Sequence, residues 1–272
     1  MKTNVYFIST PIGNLGDFSM RGIETLKSVN CILCEDTRVS SKLLQNFEIK
    51  SKLLIYNDHN ASFVIPKIIH SIKSESMVYA LISDAGTPLI SDPGYKLVNA
   101  CIKNNIKYTV IPGACAVISA LILSGLPSNR FLFSGFANYK EFEKLSKIDS
   151  TIIFFEAPSR IIKTLKNMKQ YFDDRIVAIV REITKIHEES IRANIDSLIL
   201  HFEEKLPKGE FVIVISPPEN DSFSKIKDTL PIIDALVDKL SKKDLADALA
   251  KYLKIGKNSV YDFISNYKKY KK

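Results

Sequence analysis

The sequence predicts an α/β protein whose first portion forms a mostly parallel sheet. Short apolar runs typical of strands alternate with segments of helical periodicity along residues 1–124. Strands end repeatedly in Gly, Pro or Asp, the composition of loops at the carboxyl edge of a parallel sheet, where open α/β sheets bind ligands. The 272 residues are 46% hydrophobic and 25% charged, as in a globular protein with a sizeable core. This length permits one large or two ordinary domains.

The elements of the first portion follow one another with short connections. Ser19 can cap the first helix and Asn60 the third, because short polar side chains accept hydrogen bonds from the free N–H groups at a helix start. Strands are predicted at 5–9, 31–36, 53–56, 77–82 and 108–111, and helices at 20–29, 37–47, 60–72, 95–104 and 114–124.

The second portion begins near Phe131 and is expected to include antiparallel pairing. A helix is predicted at 159–171, with Pro158 and Ser159 in its first turn and an apolar stripe along one face. Strands are predicted at 151–156, 175–180 and 211–215, with further antiparallel pairing within 182–195.

The last portion is basic and helical. Residues 221–272 contain twelve Lys and seven Asp, and the whole chain carries a net charge of +8. A positive balance favours a polyanionic partner such as nucleic acid, although solvated helices are often basic as well. Two short helices around Gly256 resemble a helix-turn-helix, and residues 217–224 are the best candidate for a linker.

Composition argues against a membrane protein, a secreted protein and a metal site. No apolar run is long enough to cross a bilayer, and a strand begins within a few residues of the N-terminus, which leaves no room for a secretory signal. Cys31 and Cys34 have CxxC spacing, but residues three apart on a strand point to opposite faces. We therefore expect buried thiols, no metal and a cytoplasmic location.

One loop, residues 83–94, carries more chemistry than a turn requires. It follows a buried strand and contains two carboxylates, Asp84 and Asp92, together with two glycines and two prolines. Glycine allows a ligand to approach the backbone, proline stiffens the path, and a carboxylate at a strand end lies where parallel sheets bind ligands. The loop predicts a small-molecule site for a ligand with an amine or ribose hydroxyls.

Four further polar clusters follow strands, at 11–17, 35–38, 156–160 and 208–210. The first lacks both the Gly-x-Gly start of a dinucleotide fingerprint and the Gly-Lys-Ser/Thr of a Walker A loop, which disfavours nicotinamide and ATP chemistry. The second predicts either a local ion pair or a substrate-binding and proton-transfer site. The third, through its Glu and Arg, predicts either a structural pair or phosphate binding. Each cluster alone is typical of an ordinary turn, but five at one edge favour a functional site.

In this order, the clusters resemble the tetrapyrrole methylase superfamily. Within it they are most similar to the branch that 2′-O-methylates a cytidine in the decoding region of small-subunit ribosomal RNA. The C-terminal helices also resemble an extension found on many members. The segments that carry the resemblance are 9–17, 34–38, 58–60, 83–94, 125–128 with Arg130, 181–185 and 208–210.

The resemblance implies two α/β domains, 1–113 and 114–218, with S-adenosyl-L-methionine in the cleft between them, and a basic helical extension at 225–272. It also implies a homodimer that acts on small-subunit ribosomal RNA. The residues implied for cofactor binding are Pro11, Gly13, Asp84, Gly86, Thr87, Cys115, Ala116 and Phe155, and those for RNA binding are Asn14, Glu35, Arg38, Arg130 and Arg160.

Methyl transfer to a ribose hydroxyl requires an oxygen in line with the methyl group and a group that helps its proton to leave. Asp36, Glu35 and Glu210 are candidate proton acceptors, and Lys208 or Arg38 could stabilise negative charge or hold a phosphate. The sequence leaves the choice among them open. Two alternative functions also stay open: a tetrapyrrole C-methyltransferase, and a non-catalytic ribosome-assembly factor that uses the fold to bind RNA. The intact loop around Asp84 favours an enzyme.

Overall fold

The computed structural model describes residues 3–173, 175–204, 208–218, 226, 228–253 and 255–270. The chain divides into two compact units, Met1–Ser216 and Pro217–Lys272. The first unit contains two five-stranded sheets, and we call the parts built around them the first lobe and the second lobe. The predicted α/β fold, with two such parts and a helical C-terminal extension, is confirmed.

The sheet of the first lobe consists of β1 (Val5–Ile8), β2 (Cys31–Cys34), β3 (Lys52–Ile55), β4 (Tyr79–Ile82) and β5 (Tyr108–Ile111). The strand order is β3-β2-β4-β1-β5, and every pairing is parallel. β2 and β4 are buried along their whole length, as expected of apolar strands covered on both faces. The carboxyl ends of all five strands therefore meet at one edge, where the predicted site loops follow.

Four helices cover this sheet: α1 (Met20–Ser28), α2 (Thr37–Asn46), α3 (Ala61–Glu75) and α4 (Tyr95–Lys103). One apolar cluster joins α3 and α4 to one face of the sheet, and another joins α1 and α2 to the opposite face. This arrangement buries both faces and leaves the carboxyl edge open.

The sheet of the second lobe consists of β6 (Phe131–Phe136), β7 (Thr151–Glu156), β8 (Val177–Arg181), β9 (Glu189–Ala193) and β10 (Phe211–Ile215). The strand order is β6-β7-β10-β8-β9. β6 and β7 are parallel, whereas the other three pairings are antiparallel. β9 supplies the additional antiparallel pairing that the sequence predicts.

Helix α5 (Ala116–Ser124) packs on one face of the second sheet, and α6 (Phe142–Ser146), α7 (Ile161–Phe172) and α8 (Ile195–Glu204) pack on the other. Because α5 follows β5 after only four residues, the chain passes from the first lobe into the second there. The domain boundary expected at residue 113 falls in this connection and stays a prediction.

The C-terminal unit contains α9 (Leu230–Leu236), α10 (Lys242–Leu253) and α11 (Lys257–Tyr270), which share an apolar core of their own. Gly256 lies between α10 and α11, where the sequence predicts a turn between two helices. The linker predicted at 217–224 lies largely outside the described residues.

The two predicted helix caps have different outcomes. Ser19 caps α1, since its Oγ accepts a hydrogen bond from the Gly22 N–H at 3.1 Å. Asn60 precedes α3 but does not cap it, so that expectation is wrong. Its Oδ1 accepts from the Asn57 N–H at 3.0 Å and its Nδ2 donates to the Ile55 carbonyl at 3.0 Å. The side chain therefore stabilises the loop after β3 and is not available to the helix.

Helix α7 begins at Ile161, two residues later than predicted. Ser159 belongs to a turn that follows β7. In this turn the Ala157 N–H and the Arg160 guanidinium both donate to the carboxylate of Glu156. These bonds stabilise the turn that precedes the helix.

The thiols of Cys31 and Cys34 belong to the apolar clusters on opposite faces of the first sheet, as the CxxC spacing predicts. Within the part of the chain that the structure describes, no group of three or more His, Cys, Asp or Glu side chains could hold a metal ion. Among the same residues, no helix combines the length and the apolar character needed to span a bilayer.

Candidate active site

A cleft of about 440 Å³ lies between the two lobes of the first unit. The loops after β1 and β4 and the start of α5 form its floor, and the end of β7 and the start of β10 form the opposite wall. Its volume is in the range of small-molecule and cofactor sites. The predicted site residues that line the cleft are Asp84, Gly86, Thr87, Cys115, Ala116, Phe155 and Glu210.

A set of hydroxyl groups fixes the floor. The Oγ of Ser9 and the Oγ1 of Thr87 are 2.9 Å apart, and Thr87 Oγ1 lies 3.0 Å from the Ala114 carbonyl, to which it donates. Ser83 Oγ donates to the Gly86 carbonyl at 2.8 Å. Because buried hydroxyls must find partners, these bonds join the loops after β1, β4 and β5 into one surface.

The backbone at Gly86 requires glycine. Gly86 has φ +85°, in the left-handed region, and a Cβ there would lie 3.1 Å from Ile12 Cγ2. Its backbone also pairs with that of Thr10, through N–H···O distances of 2.9 and 3.2 Å. The loop after β4 therefore packs closely against the loop after β1. The cleft beside these two loops has room for a ligand.

The opposite wall is aromatic. The ring of Phe155 lies 4.8 Å from that of Phe133 and 5.9 Å from that of Phe136, measured between centroids. The guanidinium carbon of Arg160 lies 5.8 Å from the centroid of Phe136. Phe136 and Phe155 both line the cleft, so the wall offers apolar faces on which a heteroaromatic ring can stack.

Glu156 anchors this wall. Its carboxylate is 1% exposed and accepts hydrogen bonds from the Ala157 N–H at 2.7 Å, from Arg160 Nε at 2.8 Å and from Thr164 Oγ1 at 2.5 Å. Arg160 Nη2 adds an ion-pair contact of 2.8 Å. Of the two alternatives for Glu156 and Arg160, the structural pair is therefore present, and half of the Arg160 side chain remains exposed.

The loop after β4 brings two carboxylates, Asp84 and Asp92, to the cleft, and Glu35 lies beside them. Burial raises the pKa of Asp92 to about 7, and the negative charges of Glu35 and Asp84 act in the same direction. Burial also raises the pKa of Asp84 and that of Glu35. At this end of the cleft a carboxyl group can therefore gain or lose a proton near neutral pH.

Asp36 is engaged locally. It caps α2, with its Oδ1 accepting from the Arg38 N–H at 2.8 Å, and its Oδ2 pairs with the Arg38 guanidinium at 2.6 Å. These hydrogen bonds lower the pKa of Asp36 to about 2. A carboxylate with so low a pKa is a weak proton acceptor. Asp36 and Arg38 line a depression that also contains Glu35 and Asp84.

The turn after β8 meets the cleft at its rim. Lys185 Nζ lies 3.0 Å from an oxygen of Glu182 and 3.0 Å from one of Glu210. A Cβ at Gly13 would lie 2.7 Å from Lys185 Cγ, and one at Gly209 would lie 2.5 Å from a carboxylate oxygen of Glu182. The rim is thus a close-packed network of ion pairs. Gly13 and Gly209 allow this packing because they have no side chain.

The remaining predicted residues lie away from the cleft. Pro11 is buried, and the side chain of Asn14 is exposed, where it begins a 3₁₀ turn. Lys208 is exposed just before β10. Arg130 lies immediately before β6, at the opposite end of that strand from Phe136 and roughly 20 Å from it at about 3.3 Å per residue. The structure therefore does not bring Arg130 to the cleft.

Sequence reasoning did not assign several cleft residues to the site. Asp92 stands out in the sequence as the second carboxylate of its loop, and Glu156 belongs to a polar cluster, so both carried a signal. Ile12 and Phe136 carried no such signal in the sequence. They line the cleft only because of the way the lobes and strands pack.

Comparison with known proteins identifies the class to which this fold and cleft belong. A family model described as "Tetrapyrrole (Corrin/Porphyrin) Methylases" matches residues 4–199. The crystal structure of diphthine synthase is similar, with a TM-score of 0.61 over 79% of this chain and 90% of that one. At 13% identity this likeness concerns the fold alone.

Relatives of higher identity narrow the class. "Ribosomal RNA small subunit methyltransferase I" of Rickettsia prowazekii is 47% identical over 222 residues, 79% of each chain. The protein of the same name from Synechocystis sp. is 39% identical over 269 residues, 94% of this chain and 95% of that one. The chain belongs to the tetrapyrrole methylases and, among them, to the ribosomal RNA small subunit methyltransferase I family, which confirms the resemblance.

S-adenosyl-L-methionine is the methyl donor of this family. The residues present fit such a group. Asp84 offers a carboxylate to hydroxyl or ammonium donors, and Phe155 offers an aromatic face. No side chain caps the start of α5, whose first residues line the cleft, so its free N–H groups suit a carboxylate.

Proposed function

We propose that the chain transfers a methyl group from S-adenosyl-L-methionine to the 2′-oxygen of a cytidine in the decoding region of small-subunit ribosomal RNA. The observation that carries the proposal is the relationship, over 94% of the chain, to a protein named ribosomal RNA small subunit methyltransferase I. The net charge of +8 supports a polyanionic substrate. The carboxyl groups with raised pKa support an oxygen nucleophile, because a hydroxyl must lose its proton when it is methylated.

The cofactor is proposed to lie along the floor of the cleft and to supply an electrophilic methyl group. Asp84 accepts hydrogen bonds from its ribose hydroxyls or its ammonium group, and Phe155 stacks on its adenine. The N–H groups at the start of α5, beside Cys115 and Ala116, bind its carboxylate. Gly86 keeps the floor open. The cleft-lining positions of these five residues support the assignment.

Three predicted residues are proposed to shape the floor and not to bind the cofactor through their side chains. Thr87 lines the cleft, but its hydroxyl is shared between Ser9 and the Ala114 carbonyl. Pro11 and Gly13 flank Ile12, whose side chain reaches the cleft. We propose that Thr87, Pro11 and Gly13 act on the cofactor by positioning the floor.

The RNA is proposed to approach over the exposed residues Asn14, Arg38 and Arg160, with Glu35 beside the cleft. Arg130, at the far end of β6, would contact RNA outside the cleft. A ribose 2′-oxygen can reach an enclosed cleft only where the nucleotide is unpaired and turned out of its helix. We therefore expect the folded small subunit to be a better substrate than free RNA.

Of the three predicted catalytic residues, Glu210 lines the cleft, and its carboxylate is paired with Lys185. Lys208 is exposed two residues away, where an ammonium group can hold a phosphate of the RNA. Asp36 is committed to Arg38. These contacts support roles in substrate binding at the rim more than a role in proton transfer.

We also infer a homodimer. Helix α5 buries Val117 and Leu121 against the second sheet but exposes Ile118 and Ile122, which lie one turn apart on its other side. Exposed aliphatic side chains at neighbouring positions are typical of subunit interfaces. A ribosomal substrate further implies a cytoplasmic location.

Tritium transfer from labelled S-adenosyl-L-methionine to small subunits that lack the modification tests the proposed function. Digestion to nucleosides should recover the label as 2′-O-methylcytidine, and Asp84→Ala should abolish the transfer. The exposed variant Asp196→Asn, on α8 and paired only with Lys169 among the described contacts, serves as the matched control. Label in a base, or none from protein that binds the cofactor, would refute the proposal. Label in a tetrapyrrole would support C-methylation instead, and failure to bind the cofactor would support an assembly factor.

A further inference from the structure

Asp92 occupies the junction of two cavities. It lines the cleft between the lobes, and it also lines a neighbouring depression of about 400 Å³ together with Glu35, Asn57 and His59. Among the residues that the structure describes, Ser91 is the other one that lines both cavities. The depression therefore adjoins the cleft at Asp92, which offers a nucleotide a route to the proposed methyl donor.

The Asp92 carboxylate differs from the other carboxylates of the cleft in its partners. Glu156 accepts several hydrogen bonds, Glu210 is paired with Lys185, and Asp84 Oδ1 lies 3.4 Å from the Asp36 N–H. Across the described part of the chain, no residue donates a hydrogen bond to Asp92 or forms an ion pair with it. The half-buried Asp92 carboxylate is therefore open to a hydrogen-bond donor on a ligand.

The backbone around Asp92 is strained. Leu89 has φ +74° and Ser91 has φ +63°, which side-chain-bearing residues rarely adopt, and Gly94 follows with φ +145°. Strain of this kind costs of order 1–3 kcal/mol per residue and is concentrated at functional sites. The strained residues Leu89 and Ser91 therefore mark the segment that carries Asp92 as a candidate functional segment.

The charged side chains that line the neighbouring depression or act on the Asp92 carboxylate come from the loops after three strands. Glu35 follows β2 and Asp84 follows β4, while Asp58 and His59 belong to the loop after β3. Lys96 of α4 contacts the same loop through Asp58, because its Nζ donates to the Asp58 carbonyl at 2.8 Å and lies 3.9 Å from the Asp58 carboxylate. Burial and the negative neighbours together raise the pKa of Asp92 to about 7, which suits a group that must be ionised before the reaction and protonated after it.

We propose that Asp92 is the group that accepts the proton of the target ribose hydroxyl. The proposal rests on the proposed function. The ribose oxygen forms a bond to the methyl carbon while the carbon–sulfur bond breaks, and the electron pair of that bond stays on sulfur. The hydroxyl proton passes to Asp92, which releases it to solvent through the adjoining depression. Charge is balanced, since one sulfonium cation and one carboxylate become a neutral thioether and a neutral acid.

Single-turnover transfer of label to small subunits as a function of pH tests this role. In the wild type the rate should rise with pH and level off above about pH 7, where Asp92 is ionised. Asp92→Asn should lower the rate roughly 10²–10⁴-fold and abolish that inflection. Its cofactor dissociation constant, measured by calorimetry, should stay within about threefold of the wild-type value, because the proton acceptor does not hold the cofactor.

Two further variants separate proton transfer from a structural role. Asp92→Glu keeps a carboxylate and should retain an inflection together with part of the rate. Glu35→Gln removes a negative neighbour and should move the inflection to lower pH, because it lowers the pKa of Asp92. A residue that merely supports the loop would produce neither effect.

The outcomes are distinguishable. If the wild type places label in ribose and Asp92→Asn keeps both rate and inflection, the role of Asp92 is overturned while the proposed function stands. If the wild type places no label in ribose, the proposed function fails and the role of Asp92 fails with it. A loss of rate with an inflection that Glu35→Gln leaves unmoved would also overturn the role.

Discussion

Replacing Asp92 by Asn should stabilise the folded protein, and the gain should grow with pH. The Asp92 carboxylate is half-buried beside two other acidic residues, Glu35 and Asp84, so ionising it in the folded state costs free energy that the unfolded chain does not pay. Asparagine has nearly the same shape and cannot ionise. The substitution therefore removes the cost without leaving a cavity.

The magnitude follows from the pKa. In the folded protein the pKa of Asp92 is about 7, whereas that of an aspartate in an unfolded chain is roughly 3.9. Each pKa unit corresponds to about 1.36 kcal/mol, so at about pH 8 the ionised group destabilises the fold by about 4 kcal/mol, as an upper value. At about pH 5 the folded form keeps its proton, and the cost falls to about 1.5 kcal/mol. Stability is thus lost as pH rises from the unfolded pKa through the folded one.

Urea denaturation of the wild type and of Asp92→Asn at both pH values measures this difference. Asp58→Asn is the matched control, since Asp58 belongs to the neighbouring loop but its side chain is 61% exposed. The control should show no gain that grows with pH. The reasoning would be refuted if Asp92→Asn were less stable than the wild type, or if its advantage were the same at both pH values.

Three other substitutions probe the walls of the cleft. Gly209→Ala should lower the free energy of unfolding by roughly 1–3 kcal/mol in urea, because φ is +93° and the new methyl group would meet the Glu182 carboxylate. Thr164→Val should cost roughly 1–3 kcal/mol in the same assay, because it removes a donor to the buried Glu156 carboxylate. Phe155→Ala should raise the cofactor dissociation constant about 10-fold in calorimetry, through the loss of a stacking surface.

Each of these substitutions has a counterpart elsewhere in the chain. Gly256→Ala adds a methyl group whose nearest neighbour is 4.0 Å away, so it should be tolerated. Thr25→Val removes an exposed hydroxyl that bonds a helix carbonyl, and Phe63→Ala removes a ring that is 75% exposed. If a site variant changes the free energy of unfolding or the cofactor dissociation constant no more than its control does, the predicted effect of that contact is refuted.

The first lobe was predictable because its signals are local. Apolar runs predicted all five strands of the parallel sheet, and β5 was predicted residue by residue. The two cysteines of β2 pointed to opposite faces as spacing alone requires. Asn60 failed as a cap because its side chain had a competing partner in the preceding loop, which propensity does not register.

The site was predictable as far as it is built from strand ends. Parallel strands bring their carboxyl ends together, so Asp84 and Thr87 could be placed at one edge from sequence. The aromatic wall could not, because Phe136 reaches the cleft only through the pairing of β6 with β7 and the packing of two lobes. Only the structure shows that Asp92 has no hydrogen-bond donor among the described residues. A sequence shows which carboxylates are close along the chain, but not which of them lack a donor.

The position of β10 has a consequence for synthesis of the protein. This strand is the last of the second lobe to leave the ribosome, yet it fits between β7 and β8, which are made at least 29 residues earlier. Until β10 is synthesised, the facing edges of β7 and β8 remain unpaired. Unpaired apolar strand edges can pair with other chains. Phe211 and Val212 of β10 also line the cleft. A nascent chain that ends at residue 199 already carries the whole family match, but it lacks both the central strand of the second sheet and part of the cleft wall.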